Sequence, residues 1–172
     1  MFDELKEKYC TLCDLYKKCK TPEMAPIGPE NVDIYILGEG PSERDDLMGK
    51  PFKGQSGEIL TAILEHLDID PEKVRYNNAV RCKVPKDGAS DLQINACRPS
   101  IFADIKKAKP KVIIAMGNSA IKSLFGRSEP GIYGWRGWQI PLQELNCWSV
   151  PIYPMSKILK DGVFDDNKIQ WT

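Results

Sequence analysis

Histidine is almost missing from this chain: His66 is the single one among 172 residues. It falls inside a run with helical spacing, where a place on the surface suits it better than catalysis. A surplus of either charge is missing too, with 24 lysines and arginines against 24 aspartates and glutamates. That balance is not the footprint of a strongly basic nucleic-acid binder, although a local basic face fits within it. The cations weighed for such a face are Arg75, Arg81, Lys83, Lys86, Arg98, Arg136, Lys157 and Lys160. No apolar run approaches the roughly 20 residues of a membrane span, and Met1-Phe2-Asp3-Glu4 does not read as the start of a secretory signal. Repeats and low-complexity tracts are absent. These absences leave a cytoplasmic globular protein, one domain over residues 1–172, large enough for a core without covalent staples.

Six cysteines are what the chain has in quantity. In a cytoplasmic setting they point to metal or redox chemistry before disulfides. Cys10 and Cys13 form a C-x-x-C pair, Cys19 follows, and Cys82 and Cys97 lie far downstream. Four thiolates suit zinc or an iron–sulfur cluster equally well by number alone. Cys147 sits in an apolar context and reads as a small buried residue.

The strongest local signal is the stretch from Gly38 to Leu60. The apolar run Val32–Leu37 leads straight into Gly38-Glu39-Gly40-Pro41, and a helical pattern opens near Ser56. A buried strand, a glycine–proline turn, a polar loop and a helix make the layout of an α/β ligand site. Glycines let backbone approach a flat or anionic ligand closely. Glu39 and Phe52 are not needed to fold such a loop: one can position water, the other can stack on a ring.

Strands are predicted at 32–37, 74–80, 111–116 and 149–154, with helices at 56–67, 91–107 and 120–125. Residues 135–140 read as a strand or hairpin, 1–20 as a short charged helix or turn, and 155–172 as a helix or tail. Alternation of strand and helix predicts a three-layer α/β/α sandwich around a four-stranded parallel sheet, with its site at the strands' C-terminal ends.

The motif resembles that of the iron–sulfur, family 4-like uracil-DNA glycosylases: G-E-[AG]-P-G, an acidic cluster, then G-[RK]-P-F-x-G-x-x-G. Gly38-Glu39-Gly40-Pro41, Asp45-Asp46, Gly49-Lys50-Pro51-Phe52, Gly54 and Gly57 fill those places. Ser42 stands where the family has glycine. Cys10, Cys13, Cys82 and Cys97 match the family's four ligands, so the resemblance implies a structural [4Fe–4S] cluster, with Cys19 a rival for one place.

It also implies DNA as partner and excision of uracil, or a related base, in base excision repair, by a monomer. Gly38 and Gly40 would cradle the base, Phe52 stack on it and Asn78 pair with its edge. Glu39 and Asp45 would serve the water or the sugar cation. Where the family carries the histidine of an H-P-[SA] motif, this chain has Tyr153-Pro154-Met155-Ser156. Tyr153 is therefore the expected oxyanion donor, differently aimed, and a slow enzyme the expectation. Pro154, Met155, Ser156 and Ile158 are expected against the DNA minor groove. Two other readings stand beside this one: an inactive DNA-binding member, and an accessory domain working with replication or repair proteins.

Overall fold

Strand β1 (Ile34–Gly38) has core on both of its sides. The structure, a computed structural model, describes residues 10–127 and 129–160. Successive side chains of a strand point to opposite faces, and here neither face meets water. Tyr35 and Leu37 enter one apolar cluster with Ile101, Ile105, Ile113 and Leu124. Ile36 enters another with Leu60, Leu64, Met116 and Met155. A strand covered twice is apolar throughout, which is why its sequence shows a run and not an alternation. Burying one residue the size of Ile36 contributes roughly 1.5–3 kcal/mol.

Four further strands follow: β2 (Arg75–Asn78), β3 (Val112–Met116), β4 (Ile140–Leu142) and β5 (Cys147–Ile152). Their order is β2-β1-β3-β5-β4. Every pairing is parallel except that of β4, which lies antiparallel to β5 at the sheet edge. The expected four-stranded parallel sheet is thus only the parallel part of a mixed, five-stranded one. The extra strand is three residues long, too short to show a period, and the segment read as strand or hairpin splits into a helical turn and this edge strand.

The helices are α1 (Glu43–Met48), α2 (Gln55–His66), α3 (Asp91–Ala108), α4 (Asn118–Phe125), α5 (Ile132–Trp135) and α6 (Met155–Lys160). Leu60 and Leu64 of α2 and Met155 of α6 cover the Ile36 side of the sheet. Ile101 and Ile105 of α3 and Leu124 of α4 cover the Tyr35 side, completing the three layers. Ser90 caps α3 in a reciprocal box with Gln93, the one of the two capping candidates Ser90 and Asp91 that the fold uses. Helix α1 occupies what reads as a polar loop. The 3₁₀ turn Asp14–Lys18 is the described part of the expected N-terminal helix. The rest of that expectation, and the tail beyond residue 160, lie outside the described residues. Among those described, no helix is long and apolar enough to cross a membrane.

The chain leaves β1 toward β2 on one side of the sheet, then returns across β1 to reach β3 on the other. A reversal of this kind opens a crevice at the C-terminal ends of the two central strands, the usual ligand position in such sheets. Gly38 and Glu39 close β1 there, opposite Gly117 at the start of α4.

Candidate functional site

An open cleft of about 890 Å³ lies over this crevice. Its floor is Gly38, where a Cβ would collide with the Asn78 side-chain oxygen and the Phe52 ring. Only glycine lets both side chains close on one spot. Asn78 ends β2 and is just 5% exposed, yet its side-chain amide has no hydrogen-bond partner among the described residues. Its open edge, one donor and one acceptor, faces a cleft where a ligand can complete it.

The backbone of Asn78 is held from behind. Its N–H donates to Asn77 Oδ1 at 2.9 Å. The Asn77 amide donates to the Tyr35 hydroxyl (3.0 Å) and to Asp104 (3.2 Å). The Tyr35 hydroxyl donates to Asp104 at 2.6 Å, and Arg75 grips both Asp104 oxygens. Arg75, offered above as a phosphate contact, is thereby spent inside the fold. Arg81, which donates to the Glu23 and Met24 carbonyls, and Arg98, which donates to Ser123 and Leu124, are spent likewise.

Phe52 is half-buried, lines the cleft and meets Tyr76 at 5.6 Å. Its φ of 58° lies in the left-handed region, sparsely used by bulky residues and costing of order 1 kcal/mol or more. Two neighbours impose it. Gly57 lets α2 press on the Phe52 backbone where any Cβ would clash. Asp45 takes the next amide, Lys53 N–H, on Oδ1 at 2.6 Å. Its other oxygen accepts from the Ser42 N–H (2.9 Å) and hydroxyl (2.7 Å). Asp45 thus clamps the Phe52 turn from the edge of the cleft, each of its oxygens held by donors of the chain. Ser42, in place of glycine, starts α1 as its N-cap at an ordinary φ of −75°. The pattern Ser-x-x-Asp was the sequence signal for this box.

Glu39 is different. It extends over Gly117 to the start of α4 and accepts Ser119 N–H at 3.2 Å on Oε1. Burial pushes its carboxyl up from the ordinary range, and the backbone N–H groups of Ser119 and Asn118 only partly offset this. A carboxyl beside a cleft, reluctant to ionise, is poised to hold or move a proton.

Tyr153 is not among the described residues lining the cleft. Its ring packs edge-on against Tyr133, beneath the Arg136 guanidinium. Pro154, Met155 and Ser156 all line the cleft, and Met155, 3% exposed, is also packed into the core beside α2. Met155 is thus set into the core where a projecting wedge was expected, and Ile158 leans on the same core. Arg44, Lys83, Lys86 and Lys160 line the cleft, with Lys83 paired to Glu43 at 2.9 Å.

The cysteines gather where the N-terminal segment meets the exit of β2. Cys13, Cys19 and Cys97 pack around Leu15, Val80, Cys82 and Ile94. Glu23 N–H donates to the Cys82 sulfur at 3.3 Å, and Cys10 N–H to the Glu23 carboxylate at 3.3 Å. Burial pushes the Cys19 thiol up to about 12 and the Cys97 thiol to about 11, and raises Cys82 as well. So many thiols in one dry place are a set that a soft cation deprotonates and holds. No three ligating side chains among the described residues converge tightly enough for a single metal ion. Asp46 joins this region to the cleft, accepting from the Lys20 and Thr21 amides at 3.0 and 2.8 Å. Cys147 is buried in the core, as its context suggests.

Residues 25–162 match the sequence model of the Uracil DNA glycosylase superfamily. The chain belongs to that superfamily. It is similar to the Type-4 uracil-DNA glycosylase of Archaeoglobus fulgidus, 30% identical over 67% of this chain and 58% of the relative. Against that of Saccharolobus solfataricus it is 34% identical over 72% of this chain and 56% of the relative. Against that of Thermotoga maritima the figures are 34%, 66% and 59%. The chain spans little more than half the length of the curated relatives it matches. In this superfamily member the motif residues Gly38, Glu39, Gly40, Asp45, Phe52 and Asn78 line one cleft, while Tyr153 packs against Tyr133.

Proposed function

We propose that this chain is a uracil-DNA glycosylase of the Type-4 kind, acting on DNA as a single-domain cytoplasmic monomer in base excision repair. The observation that carries the reading is the Asn78 amide, without a side-chain partner among the described residues, open to the cleft and closed with Phe52 onto the Gly38 floor. Uracil offers a flat face to Phe52, and its N3–H and O4 offer a donor and an acceptor to the amide. A base reaches such a pocket only by leaving the stack.

Cleavage of the N-glycosidic bond gives the sugar cationic character and the departing uracil negative charge. Glu39 is the group that positions the attacking water at the sugar carbon and takes its proton. Arg44, Lys86 and Lys160 lend positive potential to the cleft, in place of an imidazole donor. With Tyr153 outside the cleft, the expected reaction is slow: loss of one oxyanion donor typically costs ~10²–10³ in rate. That same placement favours a second reading, a member that flips and holds uracil without excising it. Single-turnover release of uracil from single- and double-stranded DNA separates the two. Slow release that Glu39→Gln abolishes supports the enzyme; tight binding with no release supports the binding module.

Cys10, Cys13, Cys82 and Cys97 are the residues we assign to a [4Fe–4S] cluster, with Cys19 a fifth thiol at its edge. When bound, the cluster supplies ligation energy that becomes folding energy, and excision calls for no electron. It fixes the segment from Cys82 into Lys83 and Val84, which line the cleft. Anaerobically purified protein should be brown and hold iron and sulfide in equal amounts. Stoichiometric zinc without sulfide would overturn the assignment.

A further inference from the structure

Beside the cleft, the turn around α5 and the start of α6 bring together two tyrosines and two cations that the excision chemistry leaves unused. Tyr133 is 71% exposed, although it lies against a neighbouring ring. That ring is Tyr153, 5.4 Å away and tilted 69°, so it props Tyr133 by its edge. The Arg136 guanidinium lies 4.7 Å from the centre of the Tyr153 ring, and Lys157 Nζ lies 5.5 Å from the centre of each ring. Gly137 N–H donates to the Pro151 carbonyl at 3.1 Å and ties this turn to the end of β5. Tyr153 runs directly into Pro154, which lines the cleft. The patch is therefore continuous with the rim over which a DNA strand enters.

We propose that Tyr133 is a stacking platform for the base next to the extruded nucleotide in single-stranded DNA, with Arg136 drawing the adjacent phosphate. The inference rests on the glycosylase reading and names a contact that reading does not include. An exposed ring among cations fits single-stranded nucleic acid, because every base has a face to stack and every linkage a negative charge. A duplex keeps those faces covered by its own stacking, so the platform favours an unpaired strand. It also accounts for Tyr153: the residue in the histidine's place supports the platform and does not reach the reacting base.

The test is fluorescence anisotropy with a labelled single-stranded oligonucleotide carrying one 2′-fluoro-2′-deoxyuridine, which resists cleavage. Tyr133→Ala should weaken binding ~5- to 100-fold, the usual worth of one base–aromatic stack, and Tyr133→Phe should restore it. On a second probe, with the bases flanking the uracil replaced by abasic spacers, wild type and Tyr133→Ala should bind alike. Arg136→Ala should lower the salt dependence of binding by about 0.7 in log–log slope, the loss of one phosphate contact to a single strand. Equal binding by wild type and Tyr133→Ala on the first probe would overturn the platform and leave the patch to a protein partner. Tyr133-dependent binding that is the same with 2′-fluoro-2′-deoxycytidine in place of the uracil nucleotide would keep the platform and sink the uracil reading beneath it.

Discussion

Asp104 and Glu39 are both withdrawn from water, and their acidities move in opposite directions. Burial works to raise the Asp104 carboxyl, but hydrogen bonds from Arg75, Tyr35 and Asn77 outweigh it and hold the group below the ordinary range. At Glu39 burial wins, because the N–H groups at the head of α4 replace too little of the lost water. The carboxylate behind the sheet is supplied with every partner it can use. The one at the crevice is left short. Networks that serve the fold are satisfied internally, whereas a group that must exchange a proton or a water keeps part of its demand open.

Opposite shifts give opposite pH behaviour. Asp104, depressed in the folded state, contributes stability that is present above its ordinary value of 3.8 and is lost as pH falls through the depressed one. Glu39, raised in the folded state, costs stability that builds as pH rises from its ordinary 4.5 through the raised value. Glu39→Gln should therefore lower uracil release by ~10²–10⁴, the range of a lost general base. It should also make the protein more stable at neutral pH, with the gain fading below pH 4.5. Single-turnover kinetics paired with urea denaturation across pH reads both; a variant that is less stable and equally active breaks the contrast.

Asp104→Ala should do the reverse. It strands a buried guanidinium and should cost about 3–5 kcal/mol in denaturant unfolding, the usual effect of breaking a buried pair. Any uracil release by the folded fraction should fall far less than in Glu39→Gln. Smaller still is the effect expected of Tyr153→Phe. The hydroxyl lies outside the cleft, so release should change by less than about twofold, against the ~10²–10³ expected of a true oxyanion donor. A large drop would return Tyr153 to the chemistry.

Much of this was legible in the residues. The apolar run at Val32–Leu37, the glycine-spaced motif and the Ser90 cap each carry a local signal strong enough to place β1, the cleft loop and α3. What escaped is what depends on distant partners or on very short elements. Arg75 reads as a free surface cation until Asp104, 29 positions away, is folded against it. Asp45 reads as a motif acid until its three amide and hydroxyl donors are seen. Helix α1 is too polar to show a period, and β4, three residues long, too brief. Met155 follows a strand closely enough to look like loop, yet tertiary packing draws it into the core. Tyr153 was assigned by its place in a motif, and only its neighbours Tyr133 and Arg136 reveal where its ring goes.

The central claim is that the cleft reads uracil through the open edge of Asn78, and it can be tested whether or not the bond is cleaved. Equilibrium binding of two uncleavable oligonucleotides, one carrying 2′-fluoro-2′-deoxyuridine and one 2′-fluoro-2′-deoxycytidine, measures it directly. A mispaired buried amide costs about 1–3 kcal/mol, so wild type should prefer the uracil probe by ~10-fold or more. Asn78→Ala should erase that preference. Equal affinity of wild type for both probes, or a preference that survives Asn78→Ala, would contradict the account.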